Sequence, residues 1–312
     1  MCQLVKLYDM RTSEHTFKSA DGVDIFYRKF LPDGNAKAVL QIFHGMAEHS
    51  ARYADFAKFL TDNGVAVYVS DHRGHGKTIA DVKDYGVWPH CDEWWRIIAD
   101  LKQLKDVATA ENPDVPYFVL GHSMGSFLAR TFITRYSTEI SGVIISGTGT
   151  NPTAILRFGK FIASFACTFE GCRSKAKLLD KLSFGGYNKG YSSPYQWLSR
   201  DDSQVKKYIA DDFCGGLFSN SFYRGFFKGL IYINKRSSGE LINKNLKMFF
   251  VSGDKDPVGS CGKGVEDAVD FYRNLNIANI QLKLYPNARH EILNEINKDE
   301  VYNDILNWIM NS

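Results

Sequence analysis

A five-residue segment around Ser123, Gly121-His122-Ser123-Met124-Gly125, has the pattern of a nucleophile turn. The pattern G-x-S-x-G occurs by chance in many chains, so its surroundings decide its meaning. Here an apolar stretch over 117–120 predicts a strand before the turn, and a helical pattern begins at Met124. Such a strand–turn–helix exposes the serine hydroxyl at a helix N-terminus, and glycines on both sides permit the strained backbone. We therefore predict that Ser123 is a nucleophile.

A serine hydroxyl attacks a carbonyl only when a base accepts its proton, and an acid orients that base. Of the eight histidines, only His122 and His290 lie at or beyond the turn, and His122 lies within it. Since the chain order after such a turn is serine, acid, histidine, His290 is the predicted base. It follows a predicted strand over 280–285, where a loop can bring it over Ser123.

Two acidic residues, Asp254 and Asp256, follow the predicted strand over 247–252. We favour Asp256, which precedes Pro257, because a residue beyond the strand end must reach His290. Its carboxylate would accept the imidazole Nδ1–H, fix the tautomer and stabilise the imidazolium. Asp254 is the alternative acid, and it equally fits a turn-capping role.

The tetrahedral intermediate of acyl transfer carries an oxyanion, which needs two N–H donors. The residue after the nucleophile supplies one donor, the backbone of Met124. The loop after an earlier strand supplies the other, and His44-Gly45-Met46 is placed there, with Met46 the predicted donor.

Strand and helix signals alternate along the first 149 residues and again after 245, which predicts an α/β fold with a mostly parallel sheet flanked by helices. Residues 150–245 interrupt the alternation with helical stripes of aromatic side chains over 155–169 and 222–233, each expected to face a core. We predict a core of 1–149 and 246–312, with 150–245 inserted as a helical cap. The cap holds 15 lysines and arginines against 7 acidic residues, and ten of the 22 phenylalanines.

Several motifs together resemble the monoacylglycerol lipase/lysophospholipase group of α/β-hydrolases. They are HGMAEHSARYADFAKFL at 44–60, DHRGHGKT at 71–78, GHSMG at 121–125, GDKDPVG at 253–259 and ARHE at 288–291. The resemblance implies an α/β-hydrolase fold, Ser123, Asp256 and His290 as a catalytic triad, and ester hydrolysis without metal or organic cofactor. Within the cap, the stretch most similar to this group is Trp197-Leu198-Ser199-Arg200-Asp201.

The composition and net charge of the chain indicate which binding partners and which cellular compartment to expect. A net charge of +3 does not favour nucleic-acid binding. No apolar run is long enough to cross a bilayer, and the N-terminus does not resemble a secretory signal, so we expect a cytoplasmic protein. The six scattered cysteines fit free thiols in a reducing compartment. The oligomeric state is not predicted.

Other interpretations of these motifs, as a nucleotide-binding loop or a metal site, fit the sequence less well. The segment 71–78 ends like a phosphate-binding loop, but a P-loop requires glycine where Asp71 stands. The group His44, Glu48 and His49 does not follow the H-E-x-x-H order of a zinc protease, so we expect structural roles. A catalytically silent binding protein of the same fold is the non-enzymatic alternative.

Among enzymes, the prediction is an esterase for lipid-like esters, monoacylglycerols or lysophospholipids, since a phenylalanine-rich cap suits an acyl chain. Small aryl or short-chain esters are the alternative. An aminopeptidase-like amidase is a further one, which would need acidic cap residues to bind a free amine. The basic cap could also contact an anionic lipid surface.

Overall fold

The buried apolar runs of the sequence form one eight-stranded sheet. The computed structural model describes residues 11–90 and 92–312. Strand order across the sheet is β1-β2-β4-β3-β5-β6-β7-β8. The strands are β1 (Arg11–Lys18), β2 (Asp24–Leu31), β3 (Ala38–Phe43), β4 (Val65–Ser70), β5 (Tyr117–His122), β6 (Gly142–Ser146), β7 (Lys247–Gly253) and β8 (Ile280–Tyr285).

From β4 to β8 all neighbouring strands are parallel, whereas β1–β2 and β2–β4 are antiparallel. Helices α1 (Ala54–Asp62) and α10 (Lys298–Met310) pack on one face of the sheet. Helices α2 (Glu93–Glu111), α3 (Met124–Tyr136) and α9 (Lys263–Arg273) pack on the other. The central strands are therefore buried on both faces, as their continuous apolar sequences require. The predicted α/β-hydrolase fold is confirmed.

The first strands pair differently from their order in the sequence. The turn at 32–34 joins β2 to β3, but β4 lies between them in the sheet. Strand β1, which the sequence did not predict, lies at the sheet edge, and its residues alternate between exposed and half-buried. Its mostly polar sequence gives no apolar run, which is why propensity alone misses it.

Five α-helices lie within residues 150–245, the segment predicted to be a cap and called the cap below. They are α4 (Thr153–Ala166), α5 (Lys177–Phe184), α6 (Asp202–Ile209), α7 (Asn220–Ile233) and α8 (Arg236–Gly239). On α7 the aromatic stripe is buried, including Tyr223 and Phe226. The prediction that the aromatic stripe of α4 faces a core was wrong, because Phe158 and Phe165 are 64% and 56% exposed. The domain boundaries at 149/150 and 245/246 stay a prediction.

Within the described residues, no helix has both the length and the apolar composition needed to cross a bilayer. Four of the six cysteines lie in this part of the chain, and all four are free thiols. They are Cys167, Cys172, Cys214 and Cys261. Cys2 and Cys91 lie outside the described residues.

Candidate active site

Ser123 lies in the sharp turn between β5 and α3. Its backbone has φ 53° and ψ −120°, a conformation that residues other than glycine rarely adopt. A Cβ on Gly121 would lie 2.2 Å from the Gly125 carbonyl oxygen, and a Cβ on Gly125 1.9 Å from that of Phe43. Both positions therefore require glycine for close backbone approach. The Ser123 amide donates to the Ser146 carbonyl over 2.9 Å, which anchors the turn to β6.

The loop after β8 brings His290 against the loop after β7. His290 Nδ1 lies 2.9 Å from Asp256 Oδ2, and both side chains are buried. Asp256 Oδ1 also accepts the Val258 amide over 2.9 Å. Asp254, the alternative acid, instead accepts the Asn287 amide over 2.7 Å in the next turn. The structure thus brings together His290 and Asp256, while Asp254 caps a turn.

The pKa of His290 reflects two opposing effects. Burial lowers it, but the carboxylates of Asp256, Glu291 and Glu48, with Asp256 the foremost, together outweigh burial, so the pKa of His290 is raised above its usual 6.5. The neighbouring His122, whose ring centroid is 4.7 Å from that of His290, has a pKa lowered by burial to about 4. Near neutral pH the two rings therefore differ in basicity, and His290 is the stronger base.

The predicted oxyanion donors are two backbone N–H groups, those of Met46 and Met124. Among the described residues, no acceptor takes the N–H of Met46 or that of Met124. Met124 begins α3, where helical N–H groups lack partners in the helix and favour negative charge. Met46 follows Gly45, on which a Cβ would lie 3.2 Å from the Ser123 Cβ. Both predicted donors thus lie beside Ser123 with free hydrogen-bonding capacity.

A buried ion network supports this loop. Glu48 accepts the Gly45 amide over 2.5 Å and the Tyr53 hydroxyl over 2.9 Å. Arg52 pairs with Glu48 over 3.1 Å and makes two bonds of 2.6 and 2.7 Å with Glu291. Burial would raise the pKa of Glu291, yet Arg52 holds it at about 2. The network joins the loop of Met46 to the residue after His290.

Sequence reasoning missed this role of Arg52 and Glu291. They lie 239 residues apart, so no local spacing pairs them. The available signal was their adjacency to predicted site segments: Glu291 follows His290, and Arg52 lies between the Met46 loop and α1.

The histidines near β3 and β4 make hydrogen bonds within the protein. The His72 amide donates to His44 Nε2 over 2.9 Å, and the two rings stack at 3.9 Å. Asp71 accepts the amides of Ser50 and Lys77, each over 2.7 Å. These contacts hold the loops beneath Ser123 in place.

A cavity of about 520 Å³ lies between Ser123 and the cap. Ser123, His290 and Met46 line it from the core. From the cap, its wall combines aromatic or apolar side chains with two polar ones, namely Phe184, Tyr195, Trp197, Leu198, Tyr208, Leu217, Asp180 and Asn188. None of the described residues lining it is a lysine or an arginine. The basic charge of the cap therefore lies outside the cavity.

Asp180 is the one acidic cap residue on this wall, and sequence reasoning did not single it out. It accepts a hydrogen bond from the Tyr223 hydroxyl over 3.1 Å. Burial raises the pKa of Asp180 despite that bond. Asn188 Oδ1, also on the wall, is buried without a hydrogen-bond partner among the described residues.

The cap also fixes the loop of His290. Arg289 donates to the carbonyls of Gln196 and Ser199 over 2.5 and 2.9 Å, and the Glu291 amide donates to the Leu198 carbonyl over 2.7 Å. The Trp197 ring lies 5.1 Å from the His290 ring. The stretch 197–201 therefore positions the histidine loop as well as the cavity wall.

Comparison with known proteins places the chain among hydrolases. A family model described as serine aminopeptidase, S33, matches residues 34–297. A monoacylglycerol lipase of Mycolicibacterium smegmatis is 29% identical over 307 residues, covering 96% of this chain and 97% of its own. A thermostable carboxyl esterase from Bacillus coagulans has 27% identity and a TM-score of 0.88, covering 97% and 99%. A monoglyceride lipase from Saccharomyces cerevisiae, at 21% identity, TM-score 0.75 and 97% of both chains, shares the fold.

Proposed function

Because the chain belongs to the serine aminopeptidase S33 family and is an α/β-hydrolase that cleaves carboxylic esters, we propose that it is a monoacylglycerol lipase-like enzyme using Ser123, His290 and Asp256. In this proposal the backbone N–H groups of Met46 and Met124 form the oxyanion hole. The observation that carries it is the shared cavity: Ser123, in its strained turn, and His290, bonded to Asp256, open onto one space.

The proposed reaction has two steps. Ser123 Oγ attacks the ester carbonyl carbon while His290 Nε2 accepts its proton, and the oxyanion accepts hydrogen bonds from Met46 and Met124. The C–O bond then breaks, and His290 returns the proton to the departing alcohol. Water attacks the acyl-enzyme in the same way, which releases the carboxylic acid and restores Ser123. Asp256 stays ionised and stabilises the imidazolium in both steps.

The cavity supports a substrate with an apolar tail and a small polar head. Its volume of about 520 Å³ lies within the range of small-ligand sites. Phe184, Trp197 and Leu217 offer contact to an acyl chain, while Asp180 and Asn188 offer hydrogen bonds to hydroxyl groups. We propose monoacylglycerols as substrates ahead of lysophospholipids, since no cationic side chain among the described lining residues meets a phosphate.

Asp180 also gives the amidase alternative its one supporting observation, because a carboxylate can bind a free amine. However, burial raises the pKa of Asp180, so a charged carboxylate is less favourable on this wall than in water. The side-chain partner that Asp180 has is the Tyr223 hydroxyl, and a polyol head offers the same kind of group.

We further propose that the cap contacts lipid surfaces through α4 and α5. Among the residues that the structure describes, seven of the thirteen large exposed apolar side chains lie between 155 and 182. They are Ile155, Phe158, Phe161, Phe165, Phe169, Leu178 and Leu182. Exposed basic residues lie among them, at Arg157, Arg173, Lys177 and Lys181. An apolar face beside basic residues is the pattern of a helix that lies in an anionic membrane interface.

A substrate panel tests the proposed reaction. Monoacylglycerols, lysophospholipids, aryl esters and amino-acid amides would be assayed against the wild type, Ser123→Ala, Asp180→Leu and the control Ser183→Ala. We expect Ser123→Ala to lose about 10³-fold or more of turnover. Asp180→Leu should raise KM for monoacylglycerols more than for aryl esters. Full turnover by folded Ser123→Ala would refute the mechanism, and preference for amides would refute the substrate class.

Vesicle binding tests the surface contact. Co-sedimentation with vesicles of neutral lipid, and with vesicles containing anionic lipid, would compare the wild type with Phe161→Glu and Leu241→Glu. Leu241 is similarly exposed but lies outside the 155–182 group. We expect stronger binding to anionic vesicles, and loss of binding only in Phe161→Glu. Equal binding to both vesicle types would eliminate the role of charge.

A further inference from the structure

A group of metal-ligating side chains lies outside the candidate active site, where the cap meets the loop after β3. His49 Nε2 lies 2.9 Å from Asp211 Oδ2, and with Cys214 Sγ these ligand atoms all lie within 4.8 Å of one another. Only 12% of the His49 side chain and 31% of that of Asp211 are exposed. We propose that His49, Asp211 and Cys214 form a zinc-binding site that joins the cap to the core.

The ligand chemistry favours zinc over the common alkaline-earth ions. One imidazole nitrogen, one carboxylate oxygen and one thiolate sulfur suit Zn²⁺, whereas Mg²⁺ and Ca²⁺ take oxygen ligands. With bond lengths of about 2.0–2.3 Å, tetrahedral ligands lie about 3.3–3.6 Å apart. The His49 and Asp211 atoms, at 2.9 Å, therefore need to separate slightly. The Cys214 sulfur, within 4.8 Å of both, needs to approach by up to about 1.3 Å, with solvent as the fourth ligand.

The segment holding two of the ligands is already ordered by hydrogen bonds. Asp211 Oδ1 accepts the Phe213 amide over 2.9 Å, which leaves Oδ2 facing His49. The Cys214 amide donates to the Asp211 carbonyl over 2.9 Å. The Gly215 amide then donates to the Ala47 carbonyl over 3.1 Å, so this turn already contacts the loop of Met46. Such outer contacts orient metal ligands before binding.

The charges around the three ligands and the access from solvent also suit a bound zinc ion. Arg52 is near Cys214, but it is paired with both Glu48 and Glu291 and so does not add an uncompensated cation. Burial raises the pKa of the Cys214 thiol, and a bound zinc ion would deprotonate it. A cavity of about 200 Å³, lined in part by His49 and Asp211, gives an entry path.

Binding would have a mechanical consequence. The turn over 211–215 leads directly into Gly215 and Gly216, which line the active-site cavity, while His49 follows the loop that carries Met46. A zinc ion would therefore hold one cavity wall against the proposed oxyanion loop. The ion would not take part in ester cleavage.

Metal titration tests the site without relying on activity. The full chain would be treated with chelator and titrated with Zn²⁺ by calorimetry, and with Co²⁺ by absorption spectroscopy. The variants are His49→Gln, Asp211→Asn, Cys214→Ser and the control Cys172→Ser, which changes another partly buried cap cysteine. We expect one zinc per chain, a higher unfolding temperature with zinc, and at least tenfold weaker binding in each ligand variant.

Cobalt identifies the sulfur ligand directly. A thiolate-to-cobalt charge-transfer band should form in the wild type and Cys172→Ser but not in Cys214→Ser. If zinc does not bind, or binds equally well to all the variants, the proposal is overturned and His49–Asp211 is a structural ion pair. Zinc binding without the charge-transfer band would likewise overturn it, since Cys214 would not be a ligand.

Discussion

At the scale of residues, the proposed chemistry depends on how each group's surroundings tune it. His290 and His122 lie side by side, yet of the two only His290 is hydrogen-bonded to a carboxylate, that of Asp256. The pKa of His290 is raised, whereas burial lowers that of His122. Asp256 and Asp254 are two residues apart, yet one contacts His290 and the other caps a turn. Residue type alone does not separate these pairs.

The two aspartates give the first prediction. Asp256→Asn should reduce kcat by about 10³–10⁴-fold, because an amide cannot hold the Nδ1-protonated tautomer or stabilise the imidazolium. Asp254→Asn should stay within a few-fold of the wild type, since its amide oxygen still accepts the Asn287 N–H. Steady-state kinetics on one monoacylglycerol measures both. The reverse ranking would assign the acid to Asp254.

The pH profile gives the second. The proposed mechanism requires neutral His290, so kcat/KM should fall tenfold per pH unit below the pKa of His290, which lies above 6.5. In Asp256→Asn the residual activity should have its acid limb at lower pH, because burial then acts on the imidazole without the opposing carboxylate. A limb that does not move in this variant would show that another group titrates.

At the scale of elements, the turn between β5 and α3 depends on backbone approach that a methyl group prevents. Gly121→Ala would place a Cβ 2.2 Å from a backbone oxygen, which no side-chain rotation relieves. We expect a loss of at least about 2 kcal/mol in the free energy of unfolding. Gly186→Ala is the control, since its Cβ would meet nothing within 4 Å. Urea denaturation measures both, and equal midpoints would argue against a backbone clash.

The sequence predicted those elements whose surroundings leave a clear pattern. Strand β4, buried on both faces, is a continuous apolar run, and β5 with α3 carries the nucleophile motif. Strand β1 was missed because an edge strand with one solvated face can be mostly polar. The stripe of α4 was predicted but assigned to a core, because periodicity shows that a face is apolar and not what covers it.

The same limit applies to the site. Chain order and elimination pointed to Ser123, His290 and Asp256, since the motif and the few eligible residues restrict the choice. Contacts between distant segments were not predictable. Arg52 with Glu291, and His49 with Asp211, depend on how the cap and the histidine loop fold over the sheet.

At the scale of the whole molecule, several buried histidines link folding to pH. Burial lowers the pKa of His44 and His122 to about 4, and it lowers those of His72 and His75 well below 6.5. Between pH 6.5 and 4 the unfolded chain therefore binds more protons at these sites than the folded one. His290 has the opposite sign, because its raised pKa adds stability below 6.5. Four lowered groups outweigh one raised group.

We therefore predict that stability falls as the pH drops from 6.5 towards 4, by up to about 1.4 kcal/mol per pH unit for each net proton. Urea denaturation at a series of pH values measures the slope. His75→Leu should reduce that slope, because it removes one of the four groups. A free energy of unfolding that is constant or rises over this interval would contradict the prediction.

The strained backbone of Ser123 has a consequence for how such a protein can change over generations. At φ 53° and ψ −120°, glycine has less backbone strain than serine. The folded chain is therefore less stable with serine at this position than it would be with glycine. Under the proposed function, selection for hydrolysis would retain serine there despite that cost. Once that selection is relaxed, drift to glycine would produce a more stable and inactive descendant. A higher free energy of unfolding for Ser123→Gly than for Ser123→Ala would show that glycine relieves the strain at this position.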